Sequence, residues 1–252
     1  MPGLLLPHSR SDASAYYNPS YLANAAYPTG AQSLELVTLV FSDPEWTPSN
    51  SGNSDFQRVN SSISFSYLTS FNIRTLSTNS ATPGTDVTGL LYTPDLPAGD
   101  PCIEASAADV PANVTRQINL PNTDYDLIAL APWISPACTL AYLAAAREDP
   151  VRGFLFFLPD NGTSTPPTAN SNTWGLGDGG QWKGENKFPV YAIPGQSGRI
   201  LMQASNDYSG NMTTVPHGHE LTETYDPRDY VRLFVDIDTG EDEPVKARSE
   251  LC

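Results

Sequence analysis

The chain has 252 residues, 28 of them acidic against 13 basic, for a formal net charge of −15. A surplus of that size repels phosphate backbones and anionic lipid, which excludes nucleic acid as a partner. With 23 prolines, 18 glycines and few charged residues, many short strands and long loops are expected, with helix in the minority.

Residues 1–30 (SAYYNPSYLANAAYPTG and its approach) show neither a two-residue nor a 3.6-residue period and read as an irregular arm. Three leucines before Pro7 make no signal peptide, and no apolar run approaches the roughly 18 residues of a bilayer span. SLELVTLVF then alternates as a strand with Leu34, Leu36 and Leu39 to Phe41 apolar, and the polar loop 43–55 carries Trp46. Further strands are expected over Ser62 to Thr69, Phe71 to Leu76 and Val87 to Tyr92, as a β meander. Cys102 follows in a proline-rich turn.

From Tyr125 the pattern changes. DLIALAPW is a continuous apolar run, suited to a strand covered on both faces. Ser135 and Pro136 mark a helix start, with serine as N-cap and proline in the first turn. Leu140, Leu143 and Ala144 give that helix one apolar face, and Asp149-Pro150 ends it. Gly153 to Leu158 is a second doubly buried strand. Two such strands joined by a helix should lie parallel. Phe188 to Ile193 reads as another strand, and SGRILMQASN as a short helix with Ile200, Leu201 and Ala204 inward. Asp229 to Asp238 has the clearest alternation in the chain and is expected to close the sheet beside an early strand, with 239–252 an acidic tail.

Of three cysteines, Cys102 and Cys138 are the sensible pair, with Cys252 left over; two buried free thiols are the alternative. Four glycosylation sequons stand at Asn60, Asn113, Asn161 and Asn211, more than chance supplies, and point to the secretory lumen or the cell exterior. Targeting segments would then lie outside these residues.

Chemistry-bearing motifs are sparse. Asp238-Thr239-Gly240 matches half of an aspartic-protease pair, but no second such motif exists and a strand end with a turn fits it better. Gly195 to Arg199 (GQSGR) falls one residue short of a nucleophile elbow and reads as a helix start. His217, His219 and Glu220 lack the spacing of a zinc site and read as an exposed loop, so no metal, cofactor or catalytic residue is expected. The long connection Asn161 to Lys187 is different, because loops of that length are commonly functional. Its Trp174 and Trp182, set among Gly179 and Gly180, make a composition suited to clasping a peptide or a sugar, or else a lid folded over the sheet.

The run YDLIALAPWISPACTLAYLAAAREDPVRGFLFFLPDNG followed by FPVYAIPGQSGRILMQASN resembles the protease-associated domain, with GLLYTPDLPAGDPC as its approach to the other cysteine. The likeness is nearest to luminal ectodomains of fungal membrane-anchored RING ubiquitin ligases. It implies an α+β, β-rich fold over 31–238: a mixed parallel and antiparallel sheet or open barrel with two or more short flanking helices. It also implies a non-catalytic domain that binds protein or peptide cargo in the lumen of the Golgi, endosome or vacuole, or outside the cell. The parent would be a ubiquitin ligase or a sorting receptor, reaching the membrane only through segments absent here. Recognition is expected through Trp174, Gly179, Gly180 and Trp182, with Trp46 beside them. An accessory domain of a secreted peptidase and a carbohydrate-binding module are the alternatives.

Overall fold

A computed structural model describes residues 31–42, 56–60, 62–70, 72–79, 85–120 and 125–240. The arm 1–30, Trp46 with its loop, and the tail from residue 241 lie outside the described residues.

The described strands form one nine-stranded mixed sheet. Four strands run parallel in chain order: β5 (Val87–Tyr92), β6 (Leu127–Pro132), β7 (Val151–Phe157) and β8 (Val190–Ile193). Antiparallel to them, β9 (Tyr230–Asp238) lies between β5 and β1 (Ser33–Phe41). The expected parallel pair and the closing strand beside an early strand are both present.

The meander is not. β2 (Phe56–Arg58) and β3 (Ser66–Ser70) each pair with β1, at residues 39–41 and 33–37 of it, whereas β4 (Arg74–Thr75) crosses to the opposite edge and pairs with β8. Of the strand expected over Ser62 to Thr69, residues 62–63 form a turn, because Asn60 accepts hydrogen bonds from the Ser62 backbone and hydroxyl. Of the one expected to Leu76, only two residues pair with β8.

Both faces of the parallel strands are covered, which is why their sequences are apolar without alternation. On one face Ile128, Leu130, Leu155 and Phe157 meet α4 (Gly195–Asp207) and α5 (Gly218–Thr224). On the other, Ala129, Ala131, Phe154 and Phe156 meet α2 (Pro136–Glu148) and the loop holding α3 (Trp182–Glu185). Ser135 caps α2 through the Cys138 N–H, as its sequence requires. The buried stripe of α2 is Cys138, Thr139, Tyr142, Leu143 and Ala146, whereas Leu140 and Ala144 are exposed. The buried stripe is thus centred on Tyr142, with only Leu143 shared with the expected leucine-led face.

Two helices stand where loops were expected. Asp100 accepts from the Cys102 N–H and Pro101 opens α1 (Pro101–Ser106), the same cap-and-proline device as α2. The segment after His217, which takes a left-handed conformation, winds into α5 instead of an exposed loop.

Cys102 and Cys138 are joined across α1 and α2, with Cα atoms 5.3 Å apart and a sequence separation of 36. Replacing both with alanine is expected to cost about 3 to 4 kcal/mol, mainly by freeing that loop in the unfolded chain. Urea unfolding of the double variant against the parent checks it. A difference below about 0.5 kcal/mol would mean that other contacts already close the loop.

Candidate functional site

The tryptophan loop is part of the core. Trp174 is 1% exposed and Trp182 is 0% exposed. Their rings lie 5.0 and 5.5 Å from that of Trp133, which in turn meets Phe156 edge-on at 5.2 Å. Each indole N–H donates to a carbonyl, Trp174 to Pro167 and Trp182 to Trp174, both at 3.1 Å. Neither ring offers a face to a ligand, which corrects the expectation that they are contact residues. Gly179 and Gly180 have φ of 69° and 89° and nothing within 4 Å of an added Cβ. They serve a turn and make no close approach. Asp178 organises that turn by accepting from the Gly180 and Trp182 N–H groups.

The sheet topology would put a binding crevice at the carboxyl ends of β7 and β8, where one connection leaves for each face of the sheet. The protein fills it with its own chain. Gln196 N–H donates to the Gly162 carbonyl, and the Arg199 guanidinium donates to the carbonyls of Pro159 and Asp160. A Cβ on Gly195 would meet Asp160 Oδ1 at 2.1 Å. Here GQSGR is the first turn of α4, and Ser197 Oγ shares a 2.8 Å hydrogen bond with the Tyr67 phenol.

The remaining motifs resolve into local structure. Asp238 Oδ1 accepts from the Gly240 N–H, and Thr239 donates to the Thr85 carbonyl, so DTG is a turn that ties β9 to the approach of β5. His217 and His219 face Glu220 and Glu223, at 3.8 and 3.5 Å. Among the described residues no three His, Cys, Asp or Glu side chains converge as a metal site.

A hollow of about 600 Å³ opens at the amino ends of β6 to β8. Several of its charged groups are committed to neighbours: Arg152 to Asp126 at 2.9 Å, Arg147 to Asn186 at 2.9 Å, and Asp149 to the Tyr92 phenol at 2.9 Å. Burial pushes the Asp149 carboxyl above its ordinary range, against the pull of that phenol.

A second concavity has a different character. Between α1 and residues 110–116, at the carboxyl end of β5, lies a groove of about 390 Å³. Leu96, Ile103, Ala107 and Val110 are among its apolar lining, with Ile103 47% exposed. Arg116 and Asp95 stand at the rim, 3.7 Å apart. The Arg116 fork is fixed by donating to the carbonyls of Thr93 and Pro94. Beneath, the Tyr142 phenol donates to Ser106 Oγ, and Ser106 donates to the Cys102 carbonyl. Burial raises the Tyr142 pKa, so the phenol keeps its proton. The disulfide and this chain of hydrogen bonds hold α1 against α2 and set the groove's shape.

Sequence reasoning missed this groove, although Asp100-Pro101 carried the signal for α1 and an isoleucine two residues on was there to be noticed. Arg232 was missed as well. It is 3% exposed on β9 and donates to the carbonyls of Asn119, Gly210 and Val231 at 3.1, 3.0 and 2.7 Å. Burial lowers its pKa to about 10, against the opposing influence of Tyr230 and Tyr125, so it stays charged at neutral pH. It pins the turns at 119 and 210 to the sheet. No protein-family model matches the chain, and no curated protein matches it.

Proposed function

We propose that this chain is a non-catalytic binding domain of the secretory lumen or cell exterior, which recognises a segment of protein cargo or substrate. The groove between α1 and residues 110–116 carries this reading. It is apolar within, bounded by one Arg/Asp pair, and held in shape by a disulfide, so little ordering cost falls on binding. Its volume suits one or two apolar side chains of an extended peptide rather than a whole domain surface. The disulfide agrees with an oxidising compartment. In keeping with the protease-associated likeness, the parent is a membrane-anchored RING ubiquitin ligase or a sorting receptor, and this domain selects what it acts on. The sugar-binding alternative drew on the two tryptophans, and their burial removes its motive.

A phage-displayed library of random dodecapeptides, panned on the folded chain, tests the reading. Enriched peptides should share an apolar anchor, and their binding should fall at least tenfold on Ala107→Trp, which fills the groove from an exposed position. Unchanged thermal unfolding of that variant establishes that only the groove was altered. No enrichment over an unrelated bait, or enrichment indifferent to Ala107→Trp, refutes the assignment.

A further inference from the structure

On the other side of Ala112, which lines both concavities, lies a polar trough of about 340 Å³. Asn113 is one of its walls, and Asn119, Asn206, Asp207, Ser209 and Thr214 are others. Asn113 is exposed, and its amide makes no hydrogen bond among the described residues. It also opens the sequon Asn113-Val114-Thr115.

We infer that Asn113 bears an N-linked glycan, and that the trough is the seat of its first N-acetylglucosamine. Amides, hydroxyls and a carboxylate together supply the donors and acceptors that a sugar's hydroxyl and acetamido groups need. The trough keeps its shape through the protein's own hydrogen bonds. Arg232 grips the carbonyls of Asn119 and Gly210 from below, Asn119 Oδ1 accepts from the Arg116 N–H, and Thr214 donates to the Asn211 carbonyl. A preformed polar cradle costs little to occupy.

The inference rests on the luminal placement proposed above, because the modification needs the lipid-linked oligosaccharide donor of that compartment. In the transfer, Asn113 Nδ2 forms a bond to C1 of the donor's reducing-end N-acetylglucosamine. The C1–O bond to the diphosphate breaks, the lipid diphosphate departs with the electron pair, and one amide proton passes to a base of the transferase.

The test is the chain secreted from a eukaryotic host, trimmed by an endoglycosidase to one sugar per site and mapped by mass spectrometry. Asn113 should carry N-acetylglucosamine, and the trimmed protein should melt about 2 to 4 °C above its Asn113→Gln variant, the shift that about one net hydrogen bond gives in a chain of this size. Asn206→Ala should remove at least half of that gain and leave the melting of the Asn113→Gln protein within about 1 °C. Occupancy at other sequons with none at Asn113 overturns the inference alone. A glycan at Asn113 whose melting gain is absent, or is untouched by Asn206→Ala, overturns the seat. If no sequon is occupied, the luminal placement falls with it.

Discussion

Trp182→Ala should lower the free energy of unfolding by about 4 kcal/mol, the upper part of what truncating a buried aromatic costs. The indole is fully buried, it packs against Trp133, and its N–H is the donor that satisfies the Trp174 carbonyl. Alanine would leave a cavity in the middle of the loop's own core and an orphaned carbonyl at its edge. The effect should be local as well as large. Lys183 donates to the Ala169 carbonyl within the loop, and the Asn79 amide donates to the carbonyls of Gly184 and Asn186, so α3 closes the loop on itself and ties it to the segment after β4. Once the indole is removed, residues 161–187 should become the first site of limited proteolysis, ahead of any cut in β6 or β7. Urea unfolding and protease mapping check the two halves. A loss under about 1 kcal/mol would mean that the ring is free in solution and available to a ligand after all.

Gly198→Ala should cost about 3 kcal/mol, although the same change in an open helix gains about 1 kcal/mol. The sign reverses because of a single contact. A Cβ at Gly198 would fall 2.0 Å from Cγ of Phe157 and 2.3 Å from its Cβ. Phe157 is buried on β7 and has no free space to swing into, so the first turn of α4 would have to rise off the sheet. That turn also holds the loop from β7 through Gln196 and Arg199, so the crevice now filled by Asp160 would open. Gln196→Ala, an exposed change in the same turn, should stay within about 0.5 kcal/mol. Thermal and urea unfolding of the pair settles it. Equal stability of the two variants would show that α4 does not lie against β7 at Gly198.

Both predictions arise where local pattern and tertiary context part company. Gly198 reads as an ordinary glycine near a helix start, and nothing beside it in the chain mentions Phe157. Trp174 and Trp182 sit in a loop of Gly, Asn and Thr whose composition is the same whether its indoles reach outward or inward. Burial was decided by Trp133, just past β6, and by Phe156 on β7, both distant in the chain. The α1 helix was legible in Asp100-Pro101, yet the neighbouring prolines and glycine masked it. Residues 71–76 look like a strand with hairpin partners nearby, yet Arg74 and Thr75 pair with β8 at the far edge of the sheet.

The amino-acid sequence by itself determined the parallel pair β6 and β7 with α2 between them, the cap and stop of that helix, the alternation of β9, and the pairing of Cys102 with Cys138. Each depends on chemistry within a few residues or on the scarcity of candidates: apolar runs, a serine before a proline, a proline that cannot continue a helix, three thiols in all. Only the tertiary structure decided that both indoles are interior, that Arg232 is a buried cation held by carbonyls, and that a groove opens beside α1. The reason is physical. A side chain's periodicity reports which way it points, while what covers it is supplied by residues far away in the chain, and the burial that follows is a property of the packed whole.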